Sequence, residues 1–160
     1  MKMIGQRFSQ RIGGSFAAQL LLVSLALSAC AVQFVSDYDE VLDRAATETQ
    51  RKITLLLTEV QNPSSPARNY ANSAKTYSEI LSDLHTMRTR AEANNTRGGN
   101  AETIVQIGKI EENVVLIQEE HRRTPSGLPP DFIAPAQRII DVQFHALIEF
   151  ELAKKRGVGS

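Results

Sequence analysis

Three histidines, one cysteine and a run of paired acids are the side chains of this sequence with the most chemistry to offer. His85, His121 and His145 fall on three separate helical stretches, so a metal held inside a helical bundle is the first arrangement to weigh. Dinuclear carboxylate sites in bundles use Glu-x-x-His on two helices, with further glutamates facing inward. Here the residue three before each histidine is Ser82, Gln118 or Val142, so that motif is missing every time. Asp141 and His145 stand four apart, a spacing that puts both on one helix face. A pair alone is a weak signal, and the expectation is no bound metal. Haem could draw on Met87 with a histidine, but the chain holds no Cys-x-x-Cys-His and a helical Met is more often a core gap-filler. No cofactor is expected.

Catalytic groupings fare no better. Glu111-Glu112 and Glu119-Glu120, followed by His121-Arg122-Arg123, put acids early and bases late on one helix, which suits a solvated helix and its dipole. There is no Gly-x-Ser-x-Gly nucleophile turn. Gly98-Gly99 is a turn and not a phosphate cradle. Lys154-Lys155-Arg156 could touch anionic lipid, though a basic last helical turn explains the run without it. No catalytic residue is assigned, and the chain is expected not to be an enzyme.

Cys30 is different, because its neighbours give it a context. Lys2, Arg7 and Arg11 are the only charges before it, and Phe16 to Leu27 is an uncharged, largely apolar run. A basic segment followed by an apolar one of this length is the layout of a secretory signal peptide. A membrane-spanning helix needs about 20 apolar residues, and this run ends sooner. Leu27-Ser28-Ala29-Cys30 resembles the lipobox of bacterial lipoproteins: an aliphatic residue, two small ones, then cysteine. That resemblance implies diacylglyceryl transfer to the Cys30 sulfur and cleavage between Ala29 and Cys30. The thiolate is the nucleophile that takes up lipid. Two acyl chains make a durable anchor where one binds reversibly. Cys30 is the sole cysteine, so no disulfide within the chain competes for it. Ala31 follows, where an Asp commonly retains Gram-negative lipoproteins in the inner membrane. The resemblance therefore implies an outer-membrane address facing the periplasm in a Gram-negative cell. In such a protein the Asn94-x-Thr96 glycosylation pattern carries no meaning.

The elements that follow read as helices. Residues 1–29 are the signal peptide, 30–35 a lipidated tether, 36–156 a helical domain and 157–160 a short tail. Ser36-x-x-Asp39 resembles a capping box, with Asp37, Asp39 and Glu40 favouring the positive end of a helix dipole. Apolar or small residues follow at Tyr38, Val41, Leu42, Ala45, Ile53, Leu56 and Val60, mostly in helical steps of three and four. Asn62-Pro63-Ser64-Ser65-Pro66 breaks the chain, and Pro66 suits the first turn of a second helix. That helix carries Tyr70, Ala74, Tyr77, Leu81, Leu84 and Ala91. After the loop at 94–99, Asn100 is the expected N-cap of a third, with Ile104, Ile107, Ile110, Val114 and Ile117 up to His121. The run 124–130 is a second firm break. The last helix holds Ile133, Ile140, Phe144, Leu147, Ile148 and Leu152, with Pro135 marking its start or an irregular first turn. Gly157 ends it. Four such segments on short loops predict an all-α fold, an antiparallel up-down four-helix bundle.

The 160 residues balance 18 basic against 18 acidic, but loss of the signal peptide leaves 15 against 18, a net charge of −3. A mildly acidic domain has no electrostatic footprint for nucleic acid. Aromatics are only 6% with no Trp, so the core must be mostly aliphatic. Ser36-Asp37-Tyr38-Asp39-Glu40 with Asp43, and Glu149-Phe150-Glu151-Leu152-Ala153-Lys154-Lys155, resemble a group of small helical lipoproteins of Gram-negative bacteria. That group carries no assigned activity, so it implies the architecture and no site residues. The expected function is a non-enzymatic envelope lipoprotein, an interaction or structural module held to the membrane by lipid on Cys30 and meeting an envelope protein partner. The alternative is a carrier that holds an apolar ligand between its helices.

Overall fold

The structure, a computed structural model, describes residues 38–95, 99–124 and 126–157. The signal-peptide segment, the lipobox Leu27-Ser28-Ala29-Cys30 and Ser36 lie outside the described residues. Four helices and one short 3-10 turn make up the described chain, with no strand among the described residues: α1 Glu40–Gln61, the turn Pro66–Arg68, α2 Tyr70–Ala93, α3 Ala101–Arg123 and α4 Pro130–Gly157. Lengths of 22 to 28 residues correspond to roughly 33–42 Å of helix.

Each helix starts where its local chemistry permits. Asp39 caps α1, its Oδ1 accepting from the Val41 and Leu42 amides at 3.0 and 3.2 Å. The cap is thus Asp39 itself, three residues after the Ser36 of the expected capping box. Pro66 opens the 3-10 turn and not α2, because Ser65 caps that turn and Asn69 then caps α2 at Tyr70. Pro130 takes the first position of α4, where a missing N–H costs nothing. Pro135 therefore sits inside α4 and does not start it.

The buried positions repeat in steps of three and four: Leu42, Ala46, Thr49, Ile53, Leu56, Leu57 and Val60 on α1; Ser73, Tyr77, Ile80, Leu84, Met87 and Ala91 on α2. On α3 they are Thr103, Ile107, Ile110, Val114, Ile117 and His121. On α4 they run from Ile133 through Ala136, Ile140, Phe144 and Leu147 to Glu151 and Lys154. Such near-heptad spacing keeps one seam facing the interior over many turns. α1 packs on α2 and α4, and α3 packs on the same two helices, so the core is shared by all four. Several stripe positions move relative to the sequence reading: on α2, Ser73 and Ile80 take the core positions in place of Ala74 and Leu81. Val41 is 56% exposed while Leu42 takes the core position beside it, and Thr103 replaces Ile104 at the start of the α3 seam.

Thr49 on α1 apart, the seams are apolar in the middle and polar at their ends. Thr103, Glu151 and Lys154 occupy core positions at one end of α3 and α4; Ser73 and His121 do so elsewhere. Each must find hydrogen bonds, because an unpaired polar group in a dry core is costly.

Candidate functional site

Three places in the described chain hold groups whose burial or exposure asks for an explanation. The first is a buried polar cluster at the start of α3 and the end of α4. Lys154 Nζ donates to Asn100 Oδ1 at 2.7 Å, to Thr103 Oγ1 at 2.9 Å and to Glu151 Oε1 at 2.6 Å, so all three ammonium hydrogens are used. Thr103 Oγ1 in turn donates to Glu151 Oε1 at 2.7 Å. The Asn100 amide nitrogen donates to the Ala91 carbonyl, tying the end of α2 into the same cluster. The Phe150 ring centroid lies 5.0 Å from Lys154 Nζ, within cation–π range. Glu151 Oε2 is buried and without a hydrogen-bond partner. Lys154 does stand in the basic last turn of α4, but it faces inward: it is 4% exposed and wholly paired. Asn100 does occupy the N-cap position, but its side chain makes no capping bond, since its oxygen serves Lys154.

The second place is an aromatic cluster around His121, which is fully buried. The Arg68 carbonyl lies 2.9 Å from Nε2 and can only accept, so Nε2 carries the ring proton. Nδ1 then accepts from the Tyr77 hydroxyl at 3.2 Å. Tyr70 stacks on Tyr77 and meets the His121 ring edge-on, with its own hydroxyl accepting from Gln118. Burial, followed by the nearby Tyr70 hydroxyl, raises the Tyr77 pKa above the usual tyrosine range. The cluster locks the 3-10 turn onto α2 and α3. It has no free nucleophile and no metal ligand to spare.

The other candidate ligands stay apart. His85 and His145 are exposed. Asp141 accepts from Gln50 on α1. Met87 is buried against α1, where Thr49 Oγ1 lies 3.8 Å from its sulfur. Among the described residues, no group of three or more His, Cys, Asp or Glu is placed to hold a metal ion.

The third place is an apolar groove of about 260 Å³ between α3 and α4. Leu116, Ile117, Phe132, Pro135, Ala136 and Ile139 line it, with Asn113 and Asp131 at its polar edge. Asn113 Nδ2 donates across to Gln143 on α4 at 3.1 Å and so holds the two helices in register. Leu116 is 61% exposed, Ile139 49% and Val142 68%, which is unusual exposure for aliphatic side chains set close together. Along α4, Pro135, Ile139, Val142 and Ala146 are all exposed and stand four, three and four apart. α4 thus carries a second apolar stripe beside the one it buries.

At the start of α1, Tyr38 donates to Asp43 Oδ2 at 2.7 Å, and that bond, with burial and the charges of Asp43, Glu40 and Glu151, pushes its pKa up to about 12. Lys155 Nζ sits 5.0 Å from the Tyr38 ring centroid. No described helix is long and apolar enough to cross a membrane. Comparison of the chain with family models, with curated proteins and with solved structures finds no match.

Sequence reasoning missed the Lys154–Glu151 cluster and the buried role of His121. The signal was there in the spacing: the three-and-four repeat that runs through Phe144 and Leu147 continues to Glu151 and Lys154, not to Leu152.

Proposed function

We propose that this chain is a non-enzymatic envelope lipoprotein whose four helices form an antiparallel up-down bundle, tethered by lipid on Cys30 and docking an apolar-faced helix of an envelope partner. The antiparallel order is supported by two pairings. Asp39, before α1, meets Arg90 in the last turn of α2 at 2.6 Å, and Lys154, near the end of α4, meets Asn100 at the start of α3. The lipidation reading rests on Leu27-Ser28-Ala29-Cys30 after a basic and apolar leader. The eight residue steps from Cys30 to Tyr38 span at most about 29 Å, which would keep the bundle close to the bilayer. Ala31 favours the outer membrane, on its periplasmic face, in a Gram-negative cell.

The observation that carries the docking reading is the second stripe of α4. A row of exposed apolar residues at three-and-four spacing, with a groove beside it, matches the way one helix lays its apolar face on another. The carrier alternative fares less well on size. At about 260 Å³ and open to solvent along one side, the groove falls below the usual 300–1,000 Å³ of small-molecule pockets.

A photo-crosslinking residue at Ile139, compared with one at exposed Glu79 on α2, tests the proposal in cells. An adduct with one envelope protein at Ile139 and not at Glu79, reduced by Cys30→Ser, is the expected result. Equal labelling at both positions would defeat it, and lipid recovered at Ile139 in place of protein would turn the reading to the carrier. Independently, Cys30→Ser should abolish metabolic labelling by palmitate.

A further inference from the structure

We propose that Lys154 and Asn100 join in an intramolecular isopeptide bond, with Glu151 moving the protons. The inference stands apart from the docking and lipidation readings and uses only the buried cluster between α3 and α4.

A lysine amine can attack a carboxamide if four conditions are met: close approach, a group to take its proton, exclusion of water, and help for the charge that builds on oxygen. Approach is given by the 2.7 Å contact between Lys154 Nζ and Asn100 Oδ1. With a carbonyl bond of about 1.23 Å, the Asn100 side-chain carbon lies no more than about 3.9 Å from Nζ. That is close to the roughly 3–3.5 Å of a near-attack arrangement. The proton acceptor is Glu151, whose Oε1 lies 2.6 Å from the same nitrogen. Water is kept out, since Asn100 and Lys154 are each 4% exposed and Glu151 is fully buried. An ammonium that hands a proton to an adjacent base becomes a nucleophilic amine, the usual way lysine is activated. Asn100 stands at the N-cap of α3 with no capping bond, so the positive end of that helix dipole favours negative charge on Oδ1.

The step balances without any further reagent. Glu151 takes a proton from the Lys154 ammonium, and Nζ bonds to the Asn100 side-chain carbon. Glu151 then gives that proton to the Asn100 amide nitrogen, whose bond to the carbon breaks. The second Nζ proton leaves with the ammonia as ammonium ion. Ammonium and carboxamide become amide and ammonium; nothing is oxidised or reduced, and Glu151 ends as it began. Its Oε2 atom, buried and unpartnered, is left open to pass the proton on. The product staples residues 54 apart, the start of α3 to the end of α4.

Intact mass spectrometry of the purified, folded protein reads the outcome directly. Loss of ammonia should lower the mass by about 17 Da relative to the same chain without the linkage. Trypsin should then release segment 98–109 joined to segment 139–155, with no cut after Lys154. Asn100→Ala and Lys154→Met should each restore the full mass. Glu151→Gln, with retained helical circular dichroism, should slow formation at least about a hundredfold, the lower end of the range for removing a general base. A wild-type chain that keeps its full mass after days at neutral pH would overturn the proposal whatever the variants do. So would a loss of that size with the two segments unlinked, which marks ring closure at an asparagine. Linkage at an unchanged rate in Glu151→Gln would remove Glu151 from the mechanism.

Discussion

Glu151 and Lys154 lie one turn apart on α4 and hold each other at 2.6 Å, with their side chains 0% and 1% exposed. Most ion pairs on this surface are long-armed and wet, worth about 0–1 kcal/mol; this one is dry. Removing one member of a dry pair leaves the other charge without compensation, at about 3–5 kcal/mol, while replacing both by apolar groups is often close to neutral. In the chain before any Lys154–Asn100 linkage forms, Lys154→Met should therefore lower the unfolding free energy by about that amount. The double variant Lys154→Met with Glu151→Leu should recover most of it. Urea denaturation of the four members of the cycle measures this, and a double variant as unstable as the sum of the singles would show that the two residues act separately.

Asp39 joins two helices through one carboxylate: Oδ1 caps α1, and Oδ2 accepts from Arg90 at 2.6 Å and from Asn94 at 3.0 Å. Burial works to raise its pKa, but the Arg90 bond and charge and the two capping amides outweigh that and hold it below the usual carboxylate value. The same bond raises the Arg90 pKa. A depressed folded-state pKa contributes stability that is present above the unfolded value of about 3.9 and fades as pH falls through the folded one. Stability should thus drop with acidification below about pH 4, and Asp39→Asn should make that limb shallower. Asp39→Ala loses the cap as well, for about 1 kcal/mol at neutral pH. Thermal melts from pH 2 to 7 would check both, and an acid limb unchanged in Asp39→Asn would assign the effect to other carboxylates.

How much of this was legible beforehand follows from what periodicity can and cannot say. Four helices and their breaks are visible because Ile, Leu and Val recur at three-and-four spacing between Pro- and Gly-bearing loops. The polar ends of the seams are not visible in that way. A reader of hydrophobicity stops at Leu147 and then reaches for Leu152, although the unbroken spacing leads to Glu151 and Lys154. Whether a lysine at a seam position is buried depends on Asn100 and Thr103 arriving from α3 to use its three protons. That is a tertiary fact. His121 was hidden similarly, since its burial depends on the Arg68 carbonyl and Tyr77. The α4 groove, too, needs two helices side by side before Leu116 and Ile139 become neighbours.

Tyr77 ties its hydroxyl to His121 in a buried setting, and its raised pKa has a definite consequence at high pH. A group that binds its proton more tightly when folded contributes stability below the unfolded pKa of about 10, and loses it as pH climbs past that value. Tyr38, pushed up to about 12 with Asp43 as the main cause, acts in the same direction. Tyr77→Phe should lower stability at neutral pH by about 0.5–1.5 kcal/mol for the lost hydrogen bond, and leave His121 Nδ1 short of a donor. The same variant should flatten the alkaline limb of the stability curve. Guanidinium melts at pH 7 and at pH 10.5 separate the two effects. A wild-type protein equally stable at both would exclude a buried, un-ionised Tyr77.

Two glycines should respond to alanine with opposite signs. Gly108 lies in the middle of α3, and a side-chain carbon built there meets nothing within 4 Å. A mid-helix glycine costs about 0.8–1.0 kcal/mol relative to alanine, so Gly108→Ala should stabilise the protein by nearly that much. Gly127, in the turn before α4, has φ +99°, and an added carbon would stand 3.1 Å from the Arg68 guanidinium. That guanidinium is not free to move off, because its Nη2 donates to the Ser126 carbonyl at 2.7 Å. Gly127→Ala therefore combines backbone strain of about 1–3 kcal/mol with pressure on the Arg68 contact. The midpoints of thermal unfolding should move apart, up for Gly108→Ala and down for Gly127→Ala. If Gly127→Ala were neutral, the left-handed turn at 126–128 would have an easy alternative, and Arg68 would not be what holds the α3–α4 connection in place.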